Sequence, residues 1–332
     1  MSFRWGIVGY GWVARDHMTP AIIDAGHQLV GIADPSPLAR EAAQRIGVSS
    51  HAEVSGLLSE HPDAIYVATP NHLHLQPVLD AAGAGRAVLC EKPVAATLYQ
   101  AEALIAAADS VTYGTAFDQR HHPAHRAIRT AIAAGAIGDV TAIRITYACW
   151  VDPAWRPPGS TEHANWRADP AAAGGGAVID LALHGLDLAE MLVGEPLERL
   201  QIMLQRRVHD YPVDDGGMLT GRFAGGALLQ SHVAYNCPEV LPRRRFEIVG
   251  STGMIAALDT MGQSAGGSVE LICGQSGTSS PLPFDCSLSP FTAQARAFAA
   301  AVRGEPHDFC GERDLRLMRL FTAAHEEAKA CL

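Results

Sequence analysis

The sequence predicts an α/β plus α+β protein: a Rossmann-type, doubly wound parallel sheet at the N-terminus, then a second part built on a large, mostly antiparallel open sheet. Three observations carry this. An apolar, β-branched run ends in Gly9-x-Gly11-x-x-Ala14 with a helix pattern directly behind it. Short apolar strands then alternate with helices as far as residue 120. From Leu197 onward, alternating runs are joined by Gly-rich turns. The 332 residues exceed one ordinary domain and suit two, and the change of pattern places them at 1–120 and 121–332.

In chain order, the first strand ends at Val8 and Leu29 to Ala33 is the second, closing at Asp34. A helix pattern covers Leu38 to Ile46, a buried strand Asp63 to Thr69 stops at Pro70, and Leu75 to Ala84 returns as helix. Ala87 to Cys90 is a short strand, Leu98 to Ala108 a helix, and Val111 to Ala116 the last strand of the first sheet. The second part opens with a helix over Pro123 to Ala134 and a strand over Val140 to Tyr147. A Pro-, Gly- and Ala-rich loop over 150–175 follows, a length that is commonly functional. A helix from Ala177 to Val193 leads into runs at Leu197 to Val208, Met218 to Phe223, Ala227 to Tyr235, Arg245 to Val249, Met254 to Leu258 and Val269 to Cys273. Helices over Pro290 to Arg303 and Glu312 to Lys329 end the chain.

Composition excludes several classes. A net charge of −10 argues against a general nucleic-acid or anionic-membrane binder, and no uncharged apolar run is long enough to span a bilayer. Seven cysteines without paired spacing read as buried reduced thiols. The first strand begins almost at once, leaving no room for a signal peptide, so a cytoplasmic location is expected. One face of the second sheet is left for solvent or association, which points to a homo-oligomer, dimer or tetramer, formed through it.

The chemistry-bearing residues cluster at strand ends. Gly9 permits a tight turn, Gly11 lets backbone approach a pyrophosphate, and Trp12 and Val13 begin the helix whose free N–H groups face the phosphates. Asp34, twenty residues beyond Ala14, stands where a carboxylate accepts hydrogen bonds from the adenosine ribose. It would repel a 2′-phosphate, and Arg40 is the only local basic side chain, so NAD is favoured over NADP. Thr69, Pro70, Asn71, His72 and His74 follow an inner strand at the same edge, as cofactor contacts or helix caps. Glu91-Lys92-Pro93 puts an ammonium at the rim, either stabilising developing charge on a substrate oxygen or making a surface ion pair. Asp180, His184 and Asp187 share one helix face, where a carboxylate one turn away orients an imidazole for proton transfer, or where all three are merely solvated. No metal site is expected: His72 and His74 lack a third ligand at usual spacing, and His121, His122 and His125 read as a solvated helix start. Trp150, Trp155, Arg156, His163, Trp166 and Arg167 in the long loop suit sugar rings and hydroxyls, Trp166 and Arg167 best, with Tyr147 and Tyr235 as further candidates.

Taken together, Gly9-x-Gly11-x-x-Ala14, Thr69-Pro70-Asn71-x-x-His74, Glu91-Lys92-Pro93 and the Gly174-Gly175-Gly176 to Asp180-x-x-x-His184 segment resemble the glucose-fructose oxidoreductase/inositol dehydrogenase (Gfo/Idh/MocA) family over essentially the full chain. The resemblance implies hydride transfer between a nicotinamide cofactor and a carbinol carbon of a sugar or cyclitol. It gives Lys92 the polarising of the reacting oxygen, His184 the proton exchange, and Asp180 the positioning of substrate or of His184, with Lys92 as an alternative acid/base. Relatives carry an Asn-x-Arg-aromatic segment after the last strand, where this chain has Asp118-Gln119-Arg120-His121. Arg120 keeps its place as a substrate contact, whereas Asp118 and His121 depart from the pattern. NAD-dependent glycoside hydrolysis by transient oxidation and a non-catalytic dinucleotide sensor are the competing expectations.

Overall fold

The computed structural model describes residues 2–156 and 165–331; His163 lies outside them. Six parallel strands form the first sheet: β1 (Arg4–Val8), β2 (Gln28–Ala33), β3 (Ser49–His51), β4 (Ala64–Val67), β5 (Ala87–Cys90) and β6 (Tyr113–Thr115). Their order is β3-β2-β1-β4-β5-β6, so the direction of winding reverses between β1 and β4, where such sheets bind ligands at their carboxyl ends. Around them run α1 (Thr19–Asp24), α2 (Pro37–Arg45), α3 (Val54–Leu58), α4 (Leu75–Gly83) and α5 (Leu98–Ala108). The parallel, doubly wound arrangement follows the expectation. The sequence reading omits β3 and α3, three and five residues long, which are too short to show a period.

The second sheet holds β7 (Val140–Ala148), β8 (Leu197–Gln205), β9 (Gly216–Phe223), β10 (Leu228–Ala234), β11 (Arg244–Gly250), β12 (Gly253–Leu258), β13 (Ser268–Cys273) and β14 (Ser279–Pro281). Its order is β14-β13-β12-β11-β7-β10-β9-β8, and every pairing is antiparallel except β7 with β10. Alternation decides its faces. Ile143, Ile145 and Tyr147 of β7 are buried in the core, while Arg144 between them is exposed on the other face.

Helices α6 (Pro123–Ala133), α7 (Pro170–Ala173) and α8 (Leu183–Val193) belong to the second part. Of the last two, α9 (Pro290–Val302) returns to the first, whereas α10 (Gly311–Lys329) packs on β8 of the second sheet and also touches α5 and β6 of the first. Phe291, Phe298 and Phe309 join Phe3 and Trp5 in one buried cluster, Trp5 and Phe298 with ring centroids 5.6 Å apart. Residues of the 121–332 segment therefore complete the core of the 1–120 segment. This sequence-distant packing clamps the two sheets about a shared seam.

Candidate active site

A cleft opens on that seam, at the carboxyl edge of the first sheet. Gly9 makes the turn out of β1 with φ +83°, and a Cβ there would stand 2.8 Å from the backbone of Ala68 and Thr69, so only glycine fits. A Cβ on Gly11 would meet nothing within 4 Å: the turn presents bare backbone to open space, as a pyrophosphate requires. Trp12, Val13 and Thr69 line the cleft, and the Thr69 hydroxyl is buried without a hydrogen-bond partner. An orphaned hydroxyl and an open glycine turn at the winding reversal fit a dinucleotide. Asp34 ends β2 beside this turn, its carboxylate accepting the Tyr10 N–H at 2.7 Å and the Ser36 N–H at 2.8 Å. Arg40 Nη1 donates to the carbonyls of Asp34 and Pro35, both at 2.8 Å.

Pro70, Asn71 and His74 act on shape. The Asn71 side chain lines the cleft and donates to Ala173 O at 2.8 Å, tying this loop to the second part. His74 is fully buried, with Nε2 3.0 Å from Thr69 O and Nδ1 3.1 Å from Pro93 O. It joins the two cofactor-side loops from beneath rather than reaching the cleft, and burial lowers its pKa to about 4.

Lys92 follows β5 through Glu91, whose carboxylate accepts the buried Tyr66 hydroxyl. Lys92 Nζ donates to Asp180 Oδ1 at 2.6 Å and to Asp180 O at 2.8 Å. Tyr235 at the end of β10 donates to the other oxygen, Oδ2, at 2.5 Å. Burial opposes the charge on Asp180, but Lys92, Arg167 and these hydrogen bonds outweigh it and hold the carboxyl well below its ordinary range. Asp180 therefore positions Lys92; it does not orient His184, as one expectation had it. A π-helical turn over Val178–Ala182 interrupts the regular spacing that the helix-face argument assumes. Gly176 seats this turn, since a Cβ would fall 2.0 Å from Asp214 O, and the Asp214 carboxylate accepts the N–H groups of Gly176 and Val178 at 2.9 and 2.8 Å.

His184 has a different partner. Its Nδ1 lies 3.2 Å from Asp118 Oδ1, at an angle outside hydrogen bonding, and neither atom has another partner. Asp118 is held by the Gln119 amide at 2.8 Å. Burial pushes its carboxyl up, but His184, Gln119 and Lys92 more than compensate, and the net shift is downward. Asp187, the third member of the expected face, is turned away: Arg120 Nε donates to both its oxygens, at 2.8 and 2.7 Å. That corrects the assignment of Arg120 as a substrate contact. Its side chain is 8% exposed, paired with a carboxylate that is 1% exposed, and it lines a different hollow. His121, His122 and His125 are likewise buried rather than solvated. His121 stacks on Phe309, and His125 lies between Gln119 O at 2.7 Å and Thr260 Oγ1 at 3.1 Å. Among the described residues no group of three or more His, Cys, Asp or Glu is placed to hold a metal.

Tyr147, Trp166 and Arg167 line the cleft, Tyr147 with its ring edge to His184 at 5.8 Å between centroids. Sequence reasoning left Asp118 in doubt and did not single out Arg244 or Gln263, which also line it. For Asp118 a signal existed, a charge directly after an inner strand; Arg244 and Gln263 are brought in by the second sheet alone.

Residues 3–113 match the profile of the oxidoreductase family with an NAD-binding Rossmann fold, and residues 125–256 match that of the Gfo/Idh/MocA C-terminal domain. The chain is 34% identical over 309 residues to 1,5-anhydro-D-fructose reductase of Ensifer adhaerens, covering 91% of this chain and 88% of that protein. It is 31% identical over 228 residues to levoglucosan dehydrogenase of Pseudarthrobacter phenanthrenivorans, covering 64% and 56%. Its fold is that of the aldose-aldose oxidoreductase of Caulobacter crescentus, with a TM-score of 0.85 at 23% identity over 100% and 99% of the two chains. With its NAD-binding N-terminal fold and its open C-terminal sheet, the chain belongs to the Gfo/Idh/MocA family of oxidoreductases.

Proposed function

We propose that the protein transfers a hydride between nicotinamide and a carbinol carbon of a sugar, cyclitol or related polyol, with Lys92 holding the reacting oxygen and His184 exchanging its proton. The observation that carries this reading is that both side chains enter one cleft, each set there by a carboxylate from the opposite part of the molecule. The bound cofactor supplies the hydride acceptor or donor. Two of the three N–H groups of the Lys92 ammonium are taken by Asp180, which leaves one for a substrate oxygen and its developing charge. With Nδ1 turned to Asp118, His184 keeps Nε2 for the proton that leaves or joins that oxygen. Asp34 favours NAD over NADP, since a carboxylate at the end of β2 repels a 2′-phosphate.

The test is a panel of aldoses, inositols, polyols and anhydrosugars with NAD, followed by NADH absorbance. One class yielding NADH stoichiometric with oxidised product supports the reading. Release of a glycone without NADH would establish hydrolysis instead, and NADH binding with no turnover across the panel would establish a sensor.

The same reading extends to assembly through the open face of the second sheet. Met203 and Met218 lie opposite each other there, 75% and 38% exposed, with Leu228 exposed on the adjoining β10. Exposed apolar side chains at this end of an otherwise polar sheet face support pairing with a second copy. Sedimentation velocity of the wild type and of Met203→Glu tests it: a dimer or tetramer that dissociates in the variant is expected, and a wild-type monomer refutes it. Among the described residues no helix is long and apolar enough to cross a membrane.

A further inference from the structure

We propose that the substrate of this cleft carries a carboxylate, received by Arg167 and Arg244. This rests on the hydride-transfer reading and narrows its substrate to sugar acids. Arg167 is 16% exposed, with its guanidinium 4.9 Å from the Trp155 ring centroid and 4.7 Å from that of Trp166. Aromatic contacts satisfy the faces of a guanidinium and leave its N–H edge unused. The nearest carboxylate oxygen is Asp180 Oδ2 at 3.8 Å, too far for a hydrogen bond and already accepting the Tyr235 hydroxyl. Arg244, at the start of β11, lies 5.9 Å over the Tyr147 ring. Its Nε is buried without a hydrogen-bond partner, and no carboxylate among the described residues lies within ion-pair distance. Both arginines line the cleft that holds Lys92 and His184.

Three other arginines behave differently. Arg120 holds Asp187, Arg313 holds Asp314 and Arg316 holds Glu190, each through contacts of 2.5–2.7 Å. Withdrawing a guanidinium from water without an acceptor is unfavourable, and its planar fork matches a carboxylate. Arg167 and Arg244 thus stand in a substrate cleft with donors to spare. Because Glu91, Asp118 and Asp180 line the same cleft, a phosphate dianion would meet more repulsion than a singly charged carboxylate.

The experiment compares substrate pairs that differ only at the terminal carbon: glucose with glucuronate, galactose with galacturonate, mannose with mannuronate, each also against the hexose 6-phosphate. The full-length protein with NAD is used. For any pair that is turned over, kcat/KM is expected to favour the acid by roughly 10- to 100-fold, as for hydrogen bonds to a charged group. Arg244→Gln and Arg167→Gln should each bring that ratio toward one, while Arg244→Lys, which keeps the charge without the fork, retains part of it. Unchanged NADH binding verifies that each variant is folded. Equal or better turnover of the neutral sugar, or preference for the 6-phosphate, overturns the carboxylate assignment and leaves hydride transfer standing. Absence of NADH formation from these pairs and from the polyol panel alike overturns hydride transfer, and this assignment with it.

Discussion

The two charged pairs of the cleft are built to opposite standards. In the first, the Asp180 carboxylate is saturated: one oxygen takes Lys92 Nζ, which also donates to Asp180 O and keeps a third N–H, and the other oxygen takes the Tyr235 hydroxyl. His184 and Asp118 approach at 3.2 Å without hydrogen-bonding geometry, and both facing atoms are buried with nothing else to satisfy them. A saturated pair fixes a position, which suits a group that must hold an oxygen still. An unsaturated one can tighten as a proton arrives, and catalytic contacts in free enzymes are often loose in this way. Each pair also crosses the seam, so the two residues of the Asp180-x-x-x-His184 segment are partnered by the first part of the chain and not by each other. Breaking either pair should therefore disturb chemistry more than cofactor binding.

The largest effects are expected at the two groups proposed to react. Lys92→Ala and His184→Ala should each lower kcat by about 10²–10⁴-fold while NADH affinity, read by fluorescence titration, stays near the wild-type value. Arg120→Ala probes a pair outside the cleft. Removing the hydrogen-bonding partner of buried Asp187, with only the Arg313 guanidinium left at 4.0 Å, should cost up to about 3–5 kcal/mol in denaturant unfolding, with KM unchanged in the surviving folded fraction. A raised KM at full stability would return Arg120 to the substrate site. Asp118→Asn keeps the shape and removes the charge beside His184, so kcat should fall by roughly 10²-fold with KM little altered. Asp34→Ala should weaken NAD and narrow its advantage over NADP, and an unchanged preference in paired titrations would show that the carboxylate does not read the ribose.

The smallest effect concerns pH. Burial lowers His74 to about 4 and, with nearby arginines, His121 to about 3; His125, buried beside His122, also falls to about 3. Since an unfolded histidine titrates near 6.5, the unfolded chain binds these protons first. Their contribution to stability is complete above about pH 6.5 and is lost as pH falls toward 3–4. Thermal melts should show Tm declining from pH 7 to pH 5, and His121→Phe, which keeps the stacking on Phe309, should flatten that decline slightly. A Tm independent of pH across this window would contradict the burial of these rings.

Most of the first sheet was legible because its signals are local: apolar strands of four to six residues, helices between them, and a glycine at the turn where no Cβ fits. Lys92, Asp180 and His184 were legible as a set through their spacing and family likeness. Their partners were not. Asp180 and His184 sit on either side of a π-helical turn that no periodicity announces, and Asp118 and Tyr235 reach them from strand ends distant in sequence. Arg120 misled because its place in a motif says nothing of Asp187, which packs against it across the seam. The return of α9 to the first core was hidden for the same reason: Phe291 and Phe298 look like any amphipathic helix until their contacts with the N-terminal segment are known.

The central claim is that the proton-exchanging imidazole is oriented by Asp118 rather than by the carboxylate on its own helical segment. Nitrogen-15 NMR of the histidine rings in the full-length protein, with His184 assigned from His184→Ala, tests it most directly. The account predicts a proton on Nδ1, a pattern changed by Asp118→Asn and kept in Asp180→Asn. A proton on Nε2 alone in the wild type, or a pattern that responds to Asp180→Asn and ignores Asp118→Asn, would contradict it.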